Sequence, residues 1–71
     1  MSYQATIIDH GEPVFCGRYN EEVIAYCMLE ELLKFMSSMF DGESIWRRLS
    51  KYARNFESVE IDGCGFSVEA R

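Results

Sequence analysis

Across the 71 residues the spacing of apolar side chains changes twice, and that double change is the strongest constraint on the fold. From Glu21 to Phe40 apolar residues recur at helical spacing, whereas both flanks alternate or form short β-branched and aromatic runs. Helices must therefore lie between strands.

Tyr3 to Ile8 is rich in β-branched and aromatic residues, and Asp9-His10-Gly11-Glu12-Pro13 supplies turn formers before Val14-Phe15-Cys16. This predicts a hairpin whose second strand ends near Arg18 or Tyr19. Pro13 has no N–H to give a ladder, so it belongs at that strand's first position or on an open edge. Asn20 is read as a helix cap, because its side-chain oxygen can accept an orphan N–H while Glu21 and Glu22 meet the positive end of the dipole. At 100° per residue, Ile24, Ala25, Met28, Leu29, Leu32, Leu33, Phe35, Met36, Met39 and Phe40 share one half of the cylinder. Such a broad stripe suits a helix that touches a sheet and also a second helix or a partner chain.

Asp41-Gly42 is a helix stop, with Gly able to take the left-handed conformation that closes a helix. A second helix is predicted from Glu43 to about Asn55, with Ile45, Leu49, Tyr52, Ala53 and Phe56 on its apolar face and Trp46 at the margin. Beyond it Val59 and Ile61 alternate with Ser58, Glu60 and Asp62. Asp62-Gly63-Cys64-Gly65 then turns the chain into Phe66-Ser67-Val68. The order ββααββ predicts one small α+β domain over residues 1–71: an antiparallel sheet of two hairpins with a helical hairpin packed on one face.

Charge and thiols narrow the function classes. The formal net charge is −5, which on average repels nucleic acid and anionic lipid. No apolar run approaches the roughly 20 residues of a membrane-spanning helix, and the first residues lack a signal-peptide pattern, so the expected compartment is the cytoplasm. Cys16, Cys27 and Cys64 form no C-x-x-C pair, and reduced structural thiols are expected. His10 with the three cysteines has acceptable zinc-ligand types, but their spacing does not gather them, so no metal and no cofactor is assigned. Paired carboxylates at Glu21-Glu22 and Glu30-Glu31 diverge by 100° on a helix, and His10 is the only imidazole; no enzyme is predicted.

Two surfaces remain. Val23, Tyr26 and Cys27 project among the polar residues of the first helix, beside Glu30 and Glu31, and no element of the predicted layout covers them. Apolar groups ringed by charge are the pattern of an interface core. The leading expectation is a non-enzymatic module that binds a basic protein through Val23, Tyr26, Cys27, Glu30 and Glu31, with a homodimer through the apolar three. Size and acidity alone would suit a small phage or mobile-element inhibitor of a host-defence nuclease, anti-CRISPR-like in imitating a phosphate backbone with carboxylates. The alternative is a nucleic-acid-binding regulator using the basic face of the second helix, where Arg47, Arg48, Lys51 and Arg54 lie around Trp46, the one aromatic placed to stack on bases.

Overall fold

The computed structural model describes residues 1–39 and 45–71. Strands β1 (Tyr3–Asp9) and β2 (Glu12–Tyr19) form the first hairpin; helices α1 (Glu22–Met39) and α2 (Ile45–Arg54) follow; β3 (Val59–Ile61) and β4 (Cys64–Ala70) form the second hairpin. The ββααββ α+β architecture is therefore the one expected. The Asp41-Gly42 stop, Phe40 and the first residues of the second predicted helix lie outside the described residues.

The sheet is antiparallel in the order β2-β1-β4-β3. Its central seam pairs β1 with β4, from Tyr3 opposite Ala70 to Ile8 opposite Gly65. Pro13 sits second in β2, an edge strand, where its missing N–H costs no ladder bond, and the register slips between Ile7 and Ile8 beside it. Cys64 and Gly65 belong to β4 rather than to the turn, which contains Asp62 and Gly63 alone. Gly65 is obligatory, because a Cβ there would lie 2.2 Å from the Val59 carbonyl oxygen.

Ala5 and Ile7 of β1 and Cys64 and Phe66 of β4 turn one sheet face toward the helices, where Ala25, Tyr26, Leu29 and Leu33 of α1 and Trp46, Leu49 and Ala53 of α2 complete the core. The start of α1 is one residue later than predicted. The Glu21 carbonyl accepts the first helical bond from Ala25 N–H at 3.1 Å, so Glu21 rather than Asn20 stands at the cap position.

The C-terminus of α2 closes in a Schellman motif: Phe56 N–H donates to the Ala53 carbonyl at 3.1 Å, and Glu57 N–H donates to the Tyr52 carbonyl at 3.0 Å. Phe56 occupies the left-handed position usually given to glycine, with φ of 59°. That conformation costs about 1–2 kcal/mol for an L-residue. Its ring is placed to compensate, stacking on Tyr26 with centroids 5.2 Å apart and planes at 25°.

Candidate functional site

The buried face of α1 is rotated by roughly 60° from the face expected at 100° per residue. Tyr26 goes inward. It is only 6% exposed, stacked on Phe56 and edge-on to Phe66 at 6.4 Å, with its hydroxyl 3.4 Å from Ser58 Oγ. The expectation that nothing in the chain covers Tyr26 is thus overturned, because the end of α2 and strand β4 close over it. Val23 and Cys27 are exposed as expected.

The rotation brings a different set outward. Ile24, Met28, Phe35 and Met39 fall at i, i+4, i+11 and i+15, one line along the helix, and all four are exposed, Phe35 by 62% and Met39 by 65%. All four belong to the broad stripe predicted for α1, so only part of that stripe is core. Half-buried Leu32 and Met36 flank the line on the core side, and exposed Val23 and Cys27, each one residue before Ile24 and Met28, lie on the other flank, turned about 100° around the helix from them. Glu31, its side chain 73% exposed, is the one charge within the line. A helix apolar on two faces exceeds what one small core can use.

The two acids named beside this face differ. Glu30 is committed internally: Arg54 Nε donates to its Oε2 at 2.8 Å, and Lys34 Nζ lies 3.2 Å from the same oxygen. The Arg54 guanidinium, aided by Lys34 and opposed by partial burial, holds the Glu30 carboxyl below the usual carboxylate range. Glu31 is reached by Lys34 only at 4.0 Å and remains open to solvent.

On α2, Trp46 is 5% exposed and packs into the core, so it cannot serve as the stacking aromatic. Leu49 and Ala53, three and seven residues along, share its inward face. Tyr52 takes the opposite course, 36% exposed although predicted on the apolar face. Arg48, Lys51, Tyr52, Asn55 and Glu57 line an open depression of about 290 Å³. Arg47, Arg48 and Lys51 are exposed and make no ion pair among the described residues, whereas Arg54 is bound to Glu30.

No helix among the described residues is long and apolar enough to cross a membrane. Fold and surface together define a small two-layer α+β domain with a spare apolar helix face. No protein-family model, no curated protein and no solved structure matches the chain.

Proposed function

We propose that this chain is a non-enzymatic protein-binding module whose docking face is the outward line of α1, Ile24, Met28, Phe35 and Met39, with exposed Val23 and Cys27 on the adjoining flank. The observation that supports this reading is the alignment of four large exposed apolar side chains on a helix whose opposite face already fills the core. The occupant is an amphipathic helix with a basic rim. Charge complementarity supports that choice: the protein carries −5, and exposed Glu21, Glu22 and Glu31 lie at the end of the line and within it. An inhibitor that works by occluding another protein needs no more than such a face.

Anisotropy titration of two labelled amphipathic peptides, one of Leu and Lys and one of Leu and Glu, tests the reading alongside light scattering of the protein alone. The expected result is a monomer that binds the Leu-Lys peptide and loses at least tenfold in affinity with Phe35→Ser or Met28→Ser. Binding insensitive to both substitutions overturns the docking face. A dimer broken by Phe35→Ser instead assigns the face to a second copy of the chain.

One observation favours a second reading, nucleic-acid binding by α2. Exposed Tyr52 adjoins Arg48 and Lys51 in the open depression, pairing an aromatic plane with cations that make no ion pair among the described residues. Glu57 in the same lining and the net charge weigh against it. Single-stranded DNA at low salt decides: binding that weakens with Lys51→Ala and Tyr52→Ala supports this reading, and absence of binding removes it.

A further inference from the structure

The two hairpin tips meet at one end of the sheet. Both are two-residue turns with positive φ at each central position, His10 at 52° and Gly11 at 82° in the first, Asp62 at 52° and Gly63 at 81° in the second. Because β1 and β4 are neighbours, the tips lie side by side, and Gly11 N–H donates to the Gly63 carbonyl at 2.9 Å. This contact fixes three chemically distinct side chains at one point. Asp9 ends β1, His10 opens its turn, and Cys64 begins β4. Asp9 Oδ1 lies 2.6 Å from His10 Nδ1 and 3.5 Å from Cys64 Sγ, and the three ligand atoms are all within 4.8 Å of one another.

We propose that Asp9, His10 and Cys64 form a binding site for a zinc-type divalent transition-metal ion. The order of contacts argues against the other use of a cysteine and a histidine. Cys64 donates to the Asp9 carboxylate rather than to the imidazole, so His10 is not placed to take the thiol proton, as a cysteine nucleophile requires. A metal needs only converging lone pairs, and sulfur, imidazole nitrogen and carboxylate oxygen are the donors zinc accepts together. Magnesium and calcium favour all-oxygen sets.

Metal bonds of about 2.0–2.3 Å set tetrahedral ligand atoms roughly 3.3–3.8 Å apart. The Asp9–Cys64 spacing already fits. The Asp9–His10 pair opens and His10 swings toward Cys64, which an imidazole with 87% of its surface exposed is free to do. As the sulfur–metal bond forms, the thiol proton leaves to solvent, and the imidazole proton moves to Nε2 so that the Nδ1 lone pair binds. Cys64 anchors the site from the buried side, and His10 closes it from the solvent side. The fold also divides the His and Cys set considered from sequence: Cys16 lies on the opposite sheet face, where Gln4 Nε2 donates to its sulfur at 3.2 Å, and Cys27 lies on α1.

Cobalt(II) titration of the full chain carrying Cys16→Ser and Cys27→Ser tests the site, since only Cys64 can then give thiolate-to-cobalt charge-transfer absorption. The expected result is one cobalt per chain, displaced by zinc but not by magnesium or calcium. Affinity falls at least tenfold with His10→Asn, which keeps a residue that accepts positive φ, and with Asp9→Asn. Cys64→Ala abolishes the band. Because Cys64 is buried, His10→Asn at an exposed position decides the matter if Cys64→Ala does not fold. The same pair of titrations on the chain with its native cysteines decides it if the double serine variant does not fold. No charge-transfer band, or affinity unchanged by both His10→Asn and Asp9→Asn, overturns the proposal.

Discussion

The two helices spend their apolar residues differently. In α2 Trp46, Leu49 and Ala53 point inward, while Arg47, Arg48 and Lys51 face solvent, so apart from Tyr52 its amphipathicity is accounted for by the core. In α1 the inward set of Ala25, Tyr26, Leu29 and Leu33 is matched by an outward set of Ile24, Met28, Phe35 and Met39. Folding explains the first set and leaves the second unexplained. The contrast shows that a surplus of hydrophobicity on one element, judged against its neighbour in the same domain, is a better pointer to an interface than hydrophobicity itself.

The largest effects should fall on the inward faces, where the helices are alike. Leu33→Ala and Leu49→Ala each remove a fully buried side chain and should cost about 2–5 kcal/mol, as measured by urea denaturation. If either is mild, the assignment of inward faces is wrong. Next comes the joint between the helices. Phe56→Ala loses the Tyr26 stack and keeps the left-handed strain, whereas Phe56→Gly loses the stack and relieves the strain; alanine should therefore be the worse by about 1 kcal/mol. Equal losses would mean that Phe56 is not strained.

The cross-helix pair is smaller. Glu30→Gln should cost less than about 1 kcal/mol, because Arg54 is mostly exposed. Its pH signature has a definite sign. The Glu30 carboxyl is lowered in the folded protein, so the stabilisation is fully present above the unfolded carboxylate range and is lost as pH falls through the lowered folded value. Stability curves of the native chain and Glu30→Gln should converge below that point. The smallest effect on stability belongs to the outward face: Phe35→Ser should stay within about 0.5 kcal/mol of the native chain while weakening peptide binding at least tenfold. A large loss there would place Phe35 in the core and remove the contrast between the helices.

Element types and order were legible because period alone separates strands from helices, and both turn pairs carried glycine. The face of α1 was not. Its apolar residues span so much of the cylinder that periodicity leaves the inward direction undetermined, and only the position of Phe56 and Phe66 over Tyr26 selects it. Trp46 and Tyr52 exchanged places for a related reason: on a ten-residue helix a marginal position goes inward or outward according to tertiary packing. Glu30 looked available because its partner Arg54 lies on the other helix. The cluster at the hairpin tips was hidden because the pairing of β1 with β4, which joins Asp9 to Cys64, is not encoded by any local spacing.

That same pairing sets the order in which the domain can assemble. Each hairpin is a local event on the microsecond scale, but the seam between them forms only once a loop spanning both helices has closed. The entropy of that closure falls on the step that creates the continuous four-stranded sheet. Folding speed should therefore follow the stability of the Ala5–Val68 and Ile7–Phe66 pairs, and changes confined to β3 or to the free edge of β2 should act mainly on unfolding. A chain caught before the seam closes would hold two separate hairpins with unpaired inner edges, the state most open to pairing with another molecule.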